Sequence, residues 1–348
     1  MTSLPARRKV LYVADLSKGG TSLHRFHALS RIGQEAIGFD TSPYDPSSRV
    51  VGAIAHRFPF GPFVARINQD LRRLAAETQP DAVIFDKPVV FNARTIQSIR
   101  KAGAITVCYN MDNPFGPRKD ACWRQYMRVF RLFDLNCAFR STDIPIFEKF
   151  GLSWVRTMVS FEPTIHFPPP AGWSEADRTR ELSYVGSPHE DRPEFLRQLG
   201  DTYKLPLMIG GPRWEKFYPP ELLERYVKDA YLGDEAYRQA IWRSRVNLAF
   251  ISHMNDDEVC HKGVEIAACG SFMLLERSEG HAATYEEDKE AVFFSSVEEC
   301  ADKARFYLGR PDLREAIGAR ARERAVRDGY DNDTQLARIL NHIDGRQA

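Results

Sequence analysis

Several features that would assign this chain to a membrane, secreted or disulfide-rich class are missing from its sequence. No apolar run approaches the roughly 20 residues that span a bilayer. The stretch before Lys9 has no apolar core with a cleavage site, the mark of a secretory signal peptide. The cysteines are single, with no CxxC pair, as is typical of small buried side chains in a reducing compartment: Cys108, Cys122, Cys137, Cys260, Cys269 and Cys300. We therefore expect a cytosolic protein.

Nucleotide and nucleic-acid signatures are also missing. The chain contains neither the GxxxxGK[ST] loop of ATP and GTP enzymes nor the GxGxxG fingerprint of dinucleotide enzymes. No nucleic-acid-binding module is recognisable, and we expect no nucleic-acid partner. What is present is a globular composition, with 43% hydrophobic and 27% charged residues over 348 positions. A chain of this length exceeds what one hydrophobic core usually supports, so two domains are expected.

The two halves of the chain carry opposite charge. Residues 1–160 hold 23 Lys and Arg against 13 Asp and Glu, a net charge of +10, and the remainder holds 25 against 34, a net charge of −9. A basic half favours phosphate-bearing ligands or an anionic membrane surface. Two ordinary solvated surfaces would give the same numbers, and that alternative stays open.

Strand-like and helix-like segments alternate along the chain. Helical patterns at Ser22–Ile32, Val64–Thr78 and Ala93–Ala102 separate short apolar runs, and the tail from Val297 is helical in three pieces. Repeated β-α-β units of this kind predict two doubly wound, mainly parallel α/β sheets. The predicted strands are Lys9–Asp15, Ala36–Asp40, Asp81–Asp86, Ala104–Tyr109, Leu135–Phe139, Trp154–Val159, Leu182–Val185, Leu205–Ile209, Val246–Ile251, Phe272–Leu275 and Ala291–Phe294.

A run of three prolines interrupts the alternation. Pro168, Pro169 and Pro170 each lack an N–H donor and have a restricted φ, so neither a helix nor a strand continues through them. We predict a Rossmann-like domain at 1–165, a linker at 166–179, a second Rossmann-like domain at 180–330, and a C-terminal helix at 331–348 that is able to cross back to the first domain. Ligands of such sheets bind at the carboxyl ends of the strands, which places the expected site in a cleft between the domains.

One segment of the second half resembles a known family. Residues 255–276, NDDEVCHKGVEIAACGSFMLLE, are similar to the donor-site segment of group-1 glycosyltransferases, particularly the CgeB-like (spore maturation protein) branch. The likeness covers most of residues 245–335, and also includes Glu279–His281, Glu290–Phe294, Tyr307–Leu308, Arg314–Arg324 and Tyr330. It implies the GT-B architecture and a transfer reaction that needs no metal or other cofactor.

The resemblance also implies roles for individual residues of the second domain. Glu265 would accept the ribose hydroxyls of a nucleotide, and Lys262, one turn earlier, would reach its diphosphate together with the positive end of the helix. Asp257, or its neighbour Asp256 or Glu258, would lie near the transferred sugar. His281 would meet the same sugar.

Two loops after predicted strands are further candidates for the donor site. Gly186 and Ser187 follow the first strand of the second domain, where backbone amides and a hydroxyl suit phosphate. Gly211 follows the next strand and permits close approach of the backbone, while Arg213 or Trp214 has the planar group that stacks on a base. A tight turn with a core tryptophan would explain the same residues, and both interpretations stay open.

On the acceptor side, Lys18, Gly19, Gly20 and Thr21 lie between the first strand and a helix; in GT-B enzymes this loop faces the donor diphosphate and the acceptor. Asp112, directly after the strand Ala104–Tyr109, is the better candidate for a general base, since a carboxylate at a strand end is placed to deprotonate a hydroxyl. His24 is the other candidate. An ordinary Asp-Asn-Pro turn is the alternative explanation of Asp112.

The segment Arg118–Arg131 has a basic face. Arg124, Arg128 and Arg131 recur at helical spacing in a predicted helix Asp120–Phe133, beside an apolar stripe. Such a helix suits peripheral contact with an anionic membrane at the inner face, although a helix that packs its aromatic residues inward gives the same pattern.

These observations favour transfer of a sugar from a nucleotide-diphosphate sugar to a hydroxyl of a glycan, or of a lipid-linked or otherwise glycosylated carrier, as in surface polysaccharide synthesis. The alternatives are a GT-B sugar-nucleotide epimerase or hydrolase and a non-catalytic GT-B module that binds a glycan or a partner enzyme. A metal site has suitable side-chain types, but their spacing matches no standard motif, and we expect none there: His253, Asp256, Asp257, Cys260 and His261.

Overall fold

A computed structural model of the chain describes residues 4–44, 61–117, 121–230 and 232–347. They form two compact units: the first comprises the residues up to Met158 together with those from Asn332 onward, and the second comprises Val159–Asp331. Within the described ranges no helix is both long and apolar enough to cross a membrane.

The first unit contains a six-stranded parallel sheet in the order β2-β1-β3-β4-β5-β6. Buried and exposed residues do not alternate along its inner strands because both faces of the sheet are covered, as in other parallel sheets. Asn92 begins one of its helices by accepting a hydrogen bond from the Thr95 N–H, which satisfies an otherwise unpaired donor. The elements are β1 Lys9–Ala14, α1 Thr21–Arg31, β2 Glu35–Asp40, α2 Pro62–Thr78, β3 Ala82–Asp86, α3 Ala93–Lys101, β4 Ile105–Tyr109, α4 Trp123–Val129, β5 Leu135–Ala138, α5 Asp143–Lys149 and β6 Trp154–Arg156.

The second unit repeats this plan with the order β12-β11-β10-β7-β8-β9, again all parallel. Its central strands are β10 and β7. The elements are β7 Arg180–Val185, α6 Arg192–Asp201, β8 Leu207–Gly210, α7 Pro220–Tyr226, β9 Val227–Asp229, α8 Asp234–Arg243, β10 Ser244–Ala249, α9 His261–Ala268, β11 Met273–Glu276, α10 Glu279–Thr284, β12 Val292–Phe294, α11 Val297–Leu308 and α12 Pro311–Arg327.

The last helix, α13 (Asn332–Gln347), packs within the first unit. Leu336, Leu340 and Ile343 are fully buried in the same cluster as Tyr12 of β1. Arg31 at the end of α1 pairs with Asp333 at 2.6 Å. The C-terminal residues therefore form one layer of the first unit's core.

The change of unit falls between Met158 and Val159, so the proline-rich segment 166–179 lies inside the second unit. Phe167 is held there by its carbonyl oxygen, which accepts a hydrogen bond from Trp242 Nε1 at 2.8 Å, and by the Arg238 guanidinium over its ring. The prolines end the strand pattern, as the sequence predicts, but they run along a folded surface instead of separating two units.

The prediction of an α/β fold with two doubly wound parallel sheets is confirmed. Each predicted strand overlaps an observed one. β9 (Val227–Asp229) was not predicted: it has three residues and follows α7 without a turn.

Candidate functional site

Two glycine loops meet at the carboxyl ends of β7 and β8. The N–H of Gly186 donates to the carbonyl oxygen of Gly210 at 2.7 Å. Gly211 has φ +125°, and a Cβ atom added to it would lie 2.4 Å from the carbonyl oxygen of Gly186. Only glycine satisfies both conditions, so the two loops pack backbone against backbone.

Lys262, at the start of α9, reaches the same loops. A Cβ atom added to Gly186 would lie 3.0 Å from Lys262 Cε, so this side chain runs over the first loop. Ser187 is half-buried beside it, and its carbonyl oxygen accepts a hydrogen bond from the Tyr184 phenol at 3.2 Å. The structure thus brings together Lys262, Gly186, Ser187 and Gly211, four of the residues predicted for phosphate.

The electrostatics of these loops favour an anion. Burial lowers the pKa of His189, and three cations, Arg192, Arg213 and Lys262, lower it further, against the single opposing charge of Glu190. Arg192 is buried and donates to the Ile251 carbonyl oxygen at 2.8 Å. Three positive side chains near the ends of these strands therefore make the loops favourable for an anion.

Glu265 lies one turn after Lys262 on α9 and is buried. Its Oε2 accepts a hydrogen bond from the Tyr237 phenol at 2.6 Å. Its Oε1 lies 3.8 Å from His166 Nε2 and 3.7 Å from His261 Nε2. Burial raises the pKa of this carboxyl, but His261, His166, Lys262 and the phenol outweigh it and bring the pKa to about 2. Glu265 is therefore a carboxylate at neutral pH, as an acceptor of hydroxyl groups must be.

Trp214 does not stack on a ligand, which corrects one of the two sequence interpretations. Its side chain is 1% exposed and packs against Tyr218 and Tyr184 in the core of the second unit. Its Nε1 donates to the Gly186 carbonyl oxygen at 2.9 Å, and this hydrogen bond holds the loop of Gly186 on the core. Arg213, at φ +72°, is exposed beside it.

His281 is also buried, which corrects the expectation that it contacts the sugar. It is 0% exposed, and both ring nitrogens are used. Nδ1 donates to the Glu276 carbonyl oxygen at 2.7 Å, and Nε2 accepts from the Cys260 N–H at 3.0 Å. Burial lowers the pKa of this histidine to about 4, so it stays neutral. It ties α10 to the residue that begins α9, and so supports Lys262 and Glu265 indirectly.

Asp257 lies in the loop between β10 and α9 and is half-buried. Its Oδ1 accepts from Asn255 Nδ2 at 2.6 Å. The other side chains of the considered metal site have separate partners: His253 pairs with Glu276, and His261 donates to the Ser160 carbonyl oxygen. Among the residues that the structure describes, no group of three or more His, Cys, Asp or Glu could hold a metal ion.

In the first unit, the loop Lys18–Thr21 joins β1 to α1, as predicted. Gly19 has φ +78°, and the Gly20 N–H donates to the Ser17 carbonyl oxygen at 3.0 Å, which makes a tight turn. Lys18 is exposed, and His24 is half-buried one turn into the helix. The turn leaves the first amides of α1 at the carboxyl edge of the sheet, where an anion would be favoured.

Asp112 and Lys87 form an ion pair at that edge. They follow the neighbouring strands β4 and β3, and Lys87 Nζ lies 2.6 Å from Asp112 Oδ2. Burial lowers the pKa of Lys87, but Asp112 outweighs it and the net shift is upward. Asp112 is therefore at a strand end, where the sequence predicts it, and the lysine beside it was not foreseen.

Sequence reasoning also missed a buried network under the loop Lys18–Thr21. Arg25 and Asp86, 3% and 6% exposed at the side chain, are 2.7 Å apart. The Tyr12 phenol donates to Asp86 at 2.7 Å, and Arg25 lies over the Tyr109 ring. Arg25 also donates to the Ser22 hydroxyl of the helix N-terminus at 3.2 Å. The network fixes α1 on the ends of β1 and β3.

The basic face predicted from Arg118 to Arg131 is partly described. Arg118 and Lys119 lie outside the described residues, and α4 is shorter than the predicted Asp120–Phe133 helix. Trp123 and Phe130 are buried, whereas Met127 is 41% exposed and Phe150, at the end of α5, is 42% exposed. The aromatic residues face inward and the arginines face out, as the second interpretation has it, and contact with a membrane stays a prediction. The exposed basic side chains around the two apolar ones are Arg124, Arg128, Arg131 and Lys149.

Comparison with known proteins agrees with this geometry. Residues 191–341 match a family model described as "Glycosyl transferase-like". No curated protein sequence matches the chain. The matched segment contains Arg192, Lys262 and Glu265, and it supports a glycosyltransferase; it does not distinguish the CgeB-like branch.

Solved structures of similar fold cover the whole chain. Sucrose-phosphate synthase from Thermosynechococcus elongatus superposes with a TM-score of 0.67 at 10% identity, over 98% of this chain and 99% of that one. Anabaena Alr3699/HepE in complex with UDP-glucose gives 0.63 at 13% identity, over 96% and 100%. A glycosyltransferase from Rickettsia africae gives 0.61 at 11% identity, over 95% and 96%. The chain therefore has the GT-B fold, as the sequence predicts.

Proposed function

We propose that this protein is a glycosyltransferase that moves a sugar, most simply a hexose, from a nucleotide-diphosphate sugar to a hydroxyl of a glycan or a glycosylated carrier, in surface polysaccharide or glycoconjugate synthesis. The observation that carries the proposal is the placement of Lys262 on the loops of Gly186 and Gly211, with ionised Glu265 one turn further along the same helix. A cation for the diphosphate and a carboxylate for the ribose are thereby held at a fixed spacing.

The same residues account for the chemistry of transfer. As the bond to the sugar breaks, negative charge develops on the leaving diphosphate, and Lys262 and Arg192 would stabilise it. Glu265 would hold the nucleoside, and Asp257 would lie near the sugar. We propose that no metal or other cofactor is required, because these cations supply the compensating charge.

Activation of the acceptor is assigned to the first unit. We propose Asp112 as the general base, with Lys87 holding its carboxylate in one orientation. His24 is the second candidate. Lys18, Gly19, Gly20 and Thr21 would border the acceptor, together with the amides of the helix N-terminus.

The donor site is tested by ligand stabilisation. UDP, GDP, dTDP, CMP and NAD are added separately to the protein, and the melting temperature is recorded; UDP comes first because Anabaena HepE is in complex with UDP-glucose. A ligand at about 100 times its dissociation constant adds roughly 2.7 kcal/mol. We expect one nucleoside diphosphate to stabilise the wild type, and Glu265→Ala and Lys262→Ala to remove the effect.

Matched surface substitutions in the same unit serve as controls. Lys216→Ala and Glu221→Ala remove the same charges at exposed positions and should leave the nucleotide response unchanged. If no nucleotide stabilises the wild type, or if the Glu265 and Lys262 variants respond as the wild type does, the donor site is wrong, and a non-catalytic GT-B module that binds a glycan or a partner becomes the better description.

We further propose that the surface formed by Arg124, Met127, Arg128, Arg131, Lys149 and Phe150 contacts an anionic membrane that carries a lipid-linked acceptor. Each Arg or Lys near such a surface contributes about 1 kcal/mol. We expect the protein to sediment with vesicles of phosphatidylglycerol and phosphatidylcholine, and Arg124→Glu/Arg128→Glu to weaken binding at least about tenfold. The control Lys216→Glu/Arg225→Glu should bind like the wild type; equal binding to vesicles of phosphatidylcholine alone would contradict the proposal.

A further inference from the structure

Tyr237 on α8 occupies the space between the two groups assigned to the nucleotide. Its ring lies 5.3 Å from Lys262 Nζ, measured to the centroid, and its phenol oxygen lies 2.6 Å from Glu265 Oε2. The ring also meets His166 edge to face at 5.8 Å. One tyrosine therefore contacts the proposed diphosphate cation, the proposed ribose acceptor and the histidine behind it.

The two oxygens of Glu265 have unequal surroundings. Oε2 accepts the phenol hydrogen bond, whereas Oε1 lies 3.7 and 3.8 Å from the two histidine ring nitrogens, beyond hydrogen-bond distance. Oε1 therefore keeps lone pairs for another donor, and a carboxylate oxygen accepts two.

The histidines are themselves held in place. His261 Nε2 donates to the Ser160 carbonyl oxygen at 2.7 Å, and His166 Nδ1 accepts from the Glu162 N–H at 3.1 Å. With Nδ1 used as an acceptor, the ring hydrogen of neutral His166 is on Nε2, the atom nearest Glu265. His166 thus presents an N–H edge to the carboxylate from 3.8 Å, whereas the Nε2 hydrogen of His261 is used by the Ser160 carbonyl oxygen.

The phenol is a dependable donor. Burial, followed by the charge of Glu265, raises the pKa of Tyr237 well above its ordinary value, so the hydroxyl keeps its proton. A hydrogen bond to a carboxylate is directional, and this one fixes the rotation of Glu265 about its last side-chain bond.

We infer that Tyr237 is a positioning residue for the donor nucleotide: it fixes Glu265 so that Oε1 receives a ribose hydroxyl, and it thereby makes the site selective for ribonucleoside over 2′,3′-dideoxyribonucleoside diphosphates. This inference rests on the proposed function, and it adds a residue outside α9 and a class of nucleotide to it. A nucleotide without the 2′- and 3′-hydroxyls leaves Glu265 with an unsatisfied oxygen, and a buried site discriminates against such a ligand.

The test compares UDP with 2′,3′-dideoxyuridine diphosphate, or the corresponding pair for the base found above, by calorimetric titration. We expect wild type to bind the ribonucleotide at least about tenfold more tightly, the usual consequence of one lost hydrogen bond to a charged group. Tyr237→Phe keeps the ring over Lys262; it should weaken binding of the ribonucleotide about five- to tenfold and leave binding of the dideoxy analogue unchanged.

Two further variants separate positioning from support of the fold. Because Tyr237 acts through Glu265, Tyr237→Phe should have no further effect in a Glu265→Gln background. Tyr203→Phe removes a similar phenol–carboxylate hydrogen bond, to Glu298 at 3.0 Å, and should change neither affinity.

The outcomes are distinguishable. Equal weakening of both nucleotides by Tyr237→Phe, or no weakening of either, would overturn the inference while leaving the donor site intact. Equal affinity of the wild type for the two nucleotides would overturn it as well, because Glu265 would then not read the ribose. Failure of the wild type to bind any nucleoside diphosphate would overturn the proposed function together with it.

Discussion

Asp86→Ala is expected to lower the free energy of unfolding by about 3–5 kcal/mol, because it leaves the Arg25 guanidinium charged and buried without its partner. The pair is 3% and 6% exposed at the side chain, so water does not replace the lost carboxylate. The Tyr12 phenol loses its acceptor in the same step. Urea denaturation followed by circular dichroism gives the measurement.

An exposed ion pair provides the control for this prediction. Asp302 and Arg305 are 3.2 Å apart with side chains 79% and 48% exposed, and Asp302→Ala should cost no more than about 1 kcal/mol. The double change Arg25→Met/Asp86→Ala removes both charges and should recover part of the loss. A single Asp86 variant as stable as the wild type would show that Arg25 reaches water.

Trp214→Ala is expected to cost about 3–5 kcal/mol, since it empties a fully buried position among Tyr184 and Tyr218. It also removes the Nε1 hydrogen bond to Gly186, so binding of nucleoside diphosphate should weaken with stability. Trp214→Phe keeps an aromatic ring and loses only the donor. That variant should be more stable than the alanine variant and still bind nucleotide less well than the wild type.

Phe217→Ala is the matched aromatic deletion. Phe217 is three residues further along and 53% exposed, so its loss should change stability by less than about 0.5 kcal/mol. Melting temperatures of the three variants, with and without the stabilising nucleotide, test both the stability and the nucleotide-binding predictions. A Trp214→Ala variant that melts like Phe217→Ala would contradict the assignment of Trp214 to the core.

The local sequence pattern was sufficient to predict the strands of the two sheets. It was insufficient to predict the contacts of individual side chains. Apolar runs such as Val10–Ala14 and Leu182–Val185 are long enough to mark buried parallel strands, and the helical pattern Ala93–Ala102 agrees with α3 to within one residue. β9 was not predicted because an edge strand of three residues is too short to show a hydrophobic period. The pair of Arg25 and Asp86 joins residues 61 positions apart, which only the assembled sheet brings into contact.

The residues of the candidate site also divide into those that the sequence predicted and those that depend on packing. Gly186 and Gly211 were predicted because they follow strands, and Lys262 was predicted from the resemblance of residues 255–276 to a glycosyltransferase donor-site segment. Trp214 follows β8 and His281 lies in α10 after β11, and whether such a side chain faces a ligand or the core depends on packing from other elements. Tyr237 gave no signal in the sequence: a tyrosine on an amphipathic helix looks the same whether or not a carboxylate faces it.

The position of α13 affects the order in which the chain folds during synthesis. The second unit is a continuous segment, Val159–Asp331, whereas the first is closed by residues from the far end of the chain. At about 5–20 residues per second, the ribosome completes the second unit before Leu336, Leu340 and Ile343 exist. Until then the face of the first sheet on which α13 packs is covered only in part, by α1 residues such as Leu29. The first unit to be translated is thus the last to be finished, and its nascent sheet is the part of the chain that chaperones would have most reason to bind.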